Sequence, residues 1–387
     1  MKKLIAILLS LVMVFAFCAC GEKSETPQTE SQPATTQTTP KTLKEELQNV
    51  INGEFETPKN VIIIIGDGMA PNDLILAEKN NDQVYDFGLV LNLIKNHGLA
   101  TTHSADSETT DSAAAATALS TGTKTNNGSI SIDPEGNDLK TMAELAREAG
   151  KKVGIITDDE ISGATPTAFT VHNKSRDNKK ELVNAMINFK PDVLMGKDYN
   201  SVFPLLDGQA QKLFYGEYLV ARDFNSFKDT LDKDPDGQKP FLGFLNGYSP
   251  VASDNLAQGV DVALNRLKND NGFFLMIEGC GTDKFGQNNN INGKLASVVT
   301  LDRTVETVLK FMKENPDTLL VITSDHETGG VKIPSAEESL SDALTTKEHT
   351  ATPVRVFAVG KGSEYFKDKT VDNTEIAKFL IEAIKGK

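Results

Sequence analysis

Val61-Ile62-Ile63-Ile64-Ile65 is an unbroken β-branched run, followed at once by Gly66-Asp67-Gly68-Met69. A run with no polar alternation suits a strand buried on both faces, which is the situation inside a parallel sheet. The glycines after it permit a tight turn, so Asp67 is expected at the carboxyl end of that strand. Beyond Pro58 the same rhythm repeats. A helix is predicted over 139–149, stopped by Gly150, then a strand over 153–157. A helix near 180–188 precedes a strand at 193–195, and a helix over 256–268 precedes a strand at 273–277. Later come a helix over 295–313, strands at 319–323 and 354–359, and a last helix over 374–384. This alternation specifies an α/β fold with a mostly parallel central sheet and helices on both faces. Residues 197–255 are less periodic and are expected to form a lobe over the sheet. No internal repeat is evident.

In open α/β sheets, ligands gather at the carboxyl ends of the strands. Asp67, Glu278 and the pair Asp325-His326 each follow one of the predicted strands, and Thr165 lies shortly after another. All are residue types that bind metal ions, and carboxylate with imidazole is a set that zinc takes readily. Asp283 and His349 offer a second such pair, out of only five histidines in the chain.

A hydroxyl joins these groups. Thr110-Asp111-Ser112 precedes the alanine-rich stretch Ala113–Leu119, which is strongly helix-forming. Ser112 therefore falls at the N-cap or in the first turn, where free amides and the helix dipole favour an alkoxide or a neighbouring phosphate oxygen. Asp and Ser are also ordinary capping residues, so the segment alone fits either a cap or a nucleophile.

The 387 residues are 39% hydrophobic and 24% charged, with a formal net charge of −14. Such a balance argues against nucleic acid or an anionic membrane surface as the main partner. An anionic substrate would need cations supplied locally, and bound metal ions are one source. Residues 1–20 join Lys2-Lys3 to an apolar run over 4–17 and to Cys18-Ala19-Cys20, which reads as an export signal. Its ending resembles a bacterial lipobox, with Cys20 as the lipidated residue; the alternative is a plain secretory signal. The expected location is outside the cytoplasm, lipid-anchored at the bacterial surface or secreted, with the lipid as the only membrane contact. Residues 21–57, rich in Ser, Thr, Gln and Pro, read as a disordered tether, with a short helix possible near 44–51. The catalytic domain is then 58–387. With Cys20 acylated, Cys280 is left without a disulfide partner.

In order along residues 58–385, Ile65-Gly66-Asp67-Gly68-Met69, Asp111-Ser112-Ala113, Ala164-Thr165-Pro166, Ser175-Arg176, Glu278-Gly279, Asp283-Lys284, Ser324-Asp325-His326 and Glu348-His349-Thr350 resemble the motifs of bacterial alkaline phosphatases. The resemblance implies hydrolysis of small phosphate monoesters through a phosphoserine on Ser112. It implies one zinc on Asp67, Asp325 and His326, beside Ser112, and another on Asp283 and His349. It also implies a magnesium on Asp67, Thr165 and Glu278. Arg176 would grip phosphate oxygens, oriented by Asp111, and Lys284 would reach the phosphate through water. A homodimer is implied as well.

Two positions depart from the family pattern. Gln287 stands where a third, imidazole ligand is usual four residues after Asp283, and an amide oxygen is a weaker zinc ligand. Gly163 stands where Asp or His is common beside the magnesium; Asp158 or Asp159 could compensate. Two alternatives stay open: a phosphodiesterase of the same superfamily, and a phosphate-binding lipoprotein weakened in catalysis by Gln287. A sulfatase is disfavoured, because Ser112 lacks the Cys-or-Ser-x-Pro-x-Arg pattern.

Overall fold

A computed structural model describes residues 42–386. The export signal, Cys20 and most of the tether lie outside the described residues.

The run at 61–65 forms the strand β1 (Asn60–Gly66), every residue of which is buried. The other strands are β2 (His97–Thr101), β3 (Lys152–Thr157), β4 (Val193–Lys197), β5 (Leu219–Ala221), β6 (Phe241–Leu245), β7 (Phe273–Gly279), β8 (Thr318–Thr323), β9 (Glu327–Thr328), β10 (His349–Thr350), β11 (Val354–Val359) and β12 (Thr370–Asp372). Ten of them make one sheet in the order β12-β2-β11-β8-β1-β7-β3-β4-β6-β5. Only β11 runs against its neighbours, pairing antiparallel with both β8 and β2. β9 and β10 form a small separate ribbon.

Both faces of this sheet are covered, which is why β1 has no polar alternation. Val61, Ile63 and Ile65 point into one core with the helices Ser112–Thr121, Met142–Glu148, Lys179–Phe189 and Asn373–Ile384. Ile62 and Ile64 point into the other, with the helices Pro71–Asn80, Asn255–Leu267 and Ile291–Glu314.

One expectation is corrected. The stretch 197–255 is no lobe over the sheet: it supplies β6 and β5, which extend one edge. The short helix expected near 44–51 is present as Leu43–Ile51, which buries Leu47 and Val50 against the second core. Its cap is a reciprocal one, Thr42 with Glu45, so this helix has its own start signal.

Register sets the site. Ile65 pairs with Glu278 on one side and Thr323 on the other, and Thr157 pairs with Glu278. The carboxyl ends of β1, β3, β7 and β8 thus finish at one level, and Asp67, Glu278 and Asp325-His326 emerge side by side.

Candidate active site

Asp111 caps the helix Ser112–Thr121, its Oδ1 accepting from Ala114 N at 2.9 Å. Ser112 is therefore the first helical residue rather than the cap, and it is buried. Alanines on the rest of this helix let the helices Ala164–Ala168 and Asn373–Ile384 pack close to it. That packing fixes the helix end where Ser112 sits.

Ser112 Oγ lies 3.1 Å from His326 Nε2. The same nitrogen is 3.2 Å from Asp325 Oδ2 and 3.5 Å from Asp67 Oδ1. Asp325 Oδ1 is occupied by the amides of Gly68, at 3.1 Å, and His326, at 2.9 Å. Among the described residues, its Oδ2 and Asp67 Oδ1 are buried without a hydrogen-bond partner. Burial, then the charges of Asp325 and Asp283, push Asp67 well above the usual carboxylate range. Burial pushes Glu278 up to about 8 and His326 down. Buried lone pairs left over, among carboxylates that repel each other, fit a bound cation: it would supply the charge that the protein alone does not. The donor atoms of Asp67, Asp325 and His326 lie within 4.8 Å of one another.

A second group adjoins the first. Asp283, His326 and His349 also converge within 4.8 Å, and the two imidazole rings stack with centroids 3.6 Å apart. His349 Nδ1 is 3.0 Å from the Thr110 carbonyl, so Nε2 is the atom left to face Asp283 Oδ1 at 3.3 Å. Although burial opposes its charge, Asp283 is held low by His349, His326 and Lys284. Carboxylate and imidazole donors at this spacing suit zinc.

Arg176 and Lys284 supply positive charge. Arg176 Nη1 is 3.0 Å from Asp111 Oδ2, which also accepts from Gly128 N. Lys284 Nζ lies 3.5 Å from Asp159 and 3.7 Å from Asp283. A cavity of about 330 Å³ brings Asp67, Ser112, Thr165, Arg176, Glu278 and Lys284 to one space. His349 and Gln287 line a separate opening with Thr109, Thr110 and Asn127.

Residues 58–218 and 248–341 match the family model described as alkaline phosphatase. The chain belongs to the alkaline phosphatase family. Alkaline phosphatase 4 of Bacillus subtilis is 33% identical over 293 residues, taking in 71% of this chain and 62% of that protein. The chain thus spans less than two thirds of that relative's length. The alkaline phosphatase of the Antarctic bacterium TAB5 superposes with a TM-score of 0.73 at 29% identity, covering 86% of this chain and 99% of that one. A His-to-Asp variant of the TAB5 protein, solved with magnesium bound in its M3 site, superposes at 0.72 with the same coverage.

Within this alkaline phosphatase fold the two departures acquire geometry. Gln287 lies on the helix Gly281–Gln287, one turn after Asp283, and its amide reaches Asp283 Oδ1 at 3.1 Å and His349 Nε2 at 3.4 Å. The side chain thus lies beside two members of the second donor group, with its amide nitrogen facing them. Gly163 precedes the helix Ala164–Ala168, and a Cβ there would stand 2.9 Å from the Glu160 carbonyl. The backbone of that turn leaves no room for a side chain without a shift. Asp158 is not among the residues lining the cavity, and its Oδ1 accepts from Cys280 N at 2.7 Å. Asp159 does line the cavity, held low by Lys284 and Lys197 despite burial.

Three residues that carry the site escaped the sequence reading. Thr328 donates to Asp283 Oδ1 at 2.7 Å and lies 3.3 Å from His326 Nδ1, joining the two donor groups. Lys294 and Asp73 form a fully buried ion pair beneath them. Only a Thr in the strand-end motif after Asp325-His326 gave any signal for the first; the pair gave none.

Proposed function

We propose that this chain hydrolyses phosphate monoesters by passing the phosphoryl group first to Ser112 and then to water. The observation that carries the reading is the convergence on Ser112 Oγ: a helix N-terminus behind it, His326 Nε2 at 3.1 Å, and Asp67, Arg176 and Lys284 around the same cavity.

The residues would divide the work as follows. Arg176 uses Nη1 on Asp111 and keeps its remaining donors for two oxygens of the phosphate. Amides at the start of the helix face the same charge. Asp67, Asp325 and His326 would hold one zinc, Asp283, His349 and Gln287 another, and Asp67, Thr165 and Glu278 a magnesium. Bound there, such cations lower the pKa of a serine hydroxyl or water and offset charge on entering and leaving oxygens. As the Ser112 Oγ–phosphorus bond forms, the serine proton is lost, the bond to the substrate alcohol breaks, and the alcohol leaves with a proton. Water then attacks phosphorus from the vacated side, and Ser112 recovers its proton as inorganic phosphate departs.

Residues 1–20 support export, with acylation at Cys20 as the membrane link, and family likeness supports a homodimer. Cell fractionation of Cys20→Ser and light scattering of the purified chain test these two points.

The deciding experiment incubates the chain with a labelled aryl phosphate monoester and the matching diester, then acid-quenches. Monoester turnover with label on Ser112, absent in Ser112→Ala, supports the reading. Faster diester turnover would favour the phosphodiesterase, and no turnover of either ester would favour the binding lipoprotein.

A further inference from the structure

Lys294 has no solvent exposure, and neither has its partner Asp73. Its ammonium uses all three protons: on Asp73 Oδ2 at 3.0 Å, on the Gly68 carbonyl at 2.8 Å and on the Thr282 carbonyl at 3.2 Å. Those two carbonyls belong to the residues after Asp67 and before Asp283. The turn and the helix start are already in contact there, since a Cβ at Gly68 would lie 2.8 Å from Asp283 Cα, and Thr282 Oγ1 donates to the Asp67 carbonyl. The Gly68 carbonyl also accepts from Thr328 N at 3.2 Å, and the Gly68 amide donates to Asp325. One buried ammonium therefore ties the ends of β1 and β7 directly, and the end of β8 through Gly68.

Such a group is a poor choice for stability alone. Taking an ion pair out of water is costly, and apolar replacements of similar volume are often as stable or more so. Here the compensation is incomplete, because Asp73 Oδ1 has no hydrogen-bond partner among the described residues and burial raises the Asp73 carboxyl above its ordinary value. What the ammonium provides is placement: three donors at fixed directions, meeting backbone atoms one residue from each carboxylate.

We propose that Lys294 is a positioning residue that sets the separation of Asp67 and Asp283, and thereby the affinity of the paired donor groups for divalent cations. The inference rests on the reading of those groups as metal sites.

The test measures zinc affinity of the full chain by chelator competition, alongside urea unfolding of the metal-free protein. In Lys294→Met/Asp73→Leu the unfolding midpoint should match or exceed the parent's, while zinc binding weakens at least tenfold. Asp73→Asn, which leaves both carbonyl contacts in place, should stay within threefold of the parent. Excess zinc should restore monoester turnover in the double variant with KM unchanged. Should the double variant not fold, Lys294→Gln, able to reach one carbonyl of the two, takes its place and should bind zinc more weakly than the parent. Parental zinc affinity in whichever of these variants folds overturns the positioning role and leaves the metal sites standing. A parent chain that binds no zinc overturns the reading of the site, and this inference with it.

Discussion

His326 and His349 stack face to face, their ring centroids 3.6 Å apart and their planes 22° apart. Both rings belong to the group with Asp283, and His326 is shared with the group of Asp67 and Asp325. Without a cation this arrangement packs Asp67, Asp283 and Asp325 close together, two of them with orphaned oxygens or a carboxyl pushed upward by burial and repulsion. Metal binding should therefore act as folding energy. Zinc at a thousand times its dissociation constant is expected to add about 4 kcal/mol to the unfolding free energy. Calorimetry of the chain after chelation, and again after zinc is returned, checks this; an unchanged transition would mean the cluster is stable on its own.

Gln287 is the weak corner of the second group. On the helix Gly281–Gln287 it stands one turn beyond Asp283, so an imidazole at the same position projects to the same side. Gln287→His is expected to tighten zinc binding on the order of tenfold, about 1.4 kcal/mol. An amide oxygen is a weak zinc donor, whereas imidazole is a preferred ligand. Competitive chelator titration of both proteins decides it. Equal affinities would show that the existing contacts to Asp283 and His349 already saturate the site.

Asp111 holds two jobs that substitution can separate. Oδ1 caps the helix through Ala114 N, while Oδ2 receives Arg176 Nη1 and Gly128 N. Asn is as good a cap as Asp, so Asp111→Asn should leave unfolding free energy within about 0.5 kcal/mol of the parent. It removes the charge that orients the guanidinium. Monoester KM is therefore expected to rise several-fold with little loss of stability. Arg176→Lys should do worse, with kcat/KM lower by about 100-fold, roughly 2.7 kcal/mol, because an ammonium cannot replace a planar fork. Steady-state kinetics and urea titration of the two variants supply both numbers, and a fully active Arg176→Lys would remove the fork from the argument.

Much of this was legible because the relevant strands are long and bury both faces: the runs at 61–65, 273–277 and 319–323 each end next to a metal-capable acid or histidine. The missed strands are short or interrupted by glycine. In Phe241-Leu242-Gly243-Phe244-Leu245 the glycine is required by packing, since a Cβ would meet the Phe227 ring at 2.6 Å, and it disguised a buried strand as an irregular one. β2, with Gly98 against the Lys369 carbonyl, hid in the same way. The metal-capable residues could be read from strand ends, but Lys294 could not. The predicted helix began at residue 295, where the apolar stripe starts, whereas the real one begins at Ile291 with Asn290 as its cap. A lysine in a first turn looks solvated, and only its three-dimensional partners reveal otherwise. The helix Leu43–Ile51 was partly concealed for a related reason: the polar tether around it diluted a signal carried by Leu47 and Val50.

Away from the site, His172 and Glu144 give the fold its own pH dependence. His172 Nε2 lies 3.2 Å from Glu144 Oε1, and Nδ1 lies 2.8 Å from the Ser131 carbonyl. The hydrogen bond to Glu144 raises the imidazole above its ordinary 6.5 in spite of burial. Glu144, although burial opposes its charge, is held below its ordinary 4.5 by His172. The folded chain thus keeps the His172 proton more tightly than the unfolded chain. That contribution is complete below pH 6.5 and is lost as pH rises through the folded value. The Glu144 contribution runs the other way, complete above 4.5 and lost as pH falls through its lowered value. Together they stabilise most between about pH 4.5 and 6.5. His172→Gln is therefore expected to be less stable than the parent by about 1 kcal/mol at pH 5.5, with the gap narrowing toward pH 8.5. Urea unfolding of the metal-free proteins at the two pH values measures it. A gap that stays constant across that range would mean that the imidazole matters for its shape and hydrogen bonds, not for its charge.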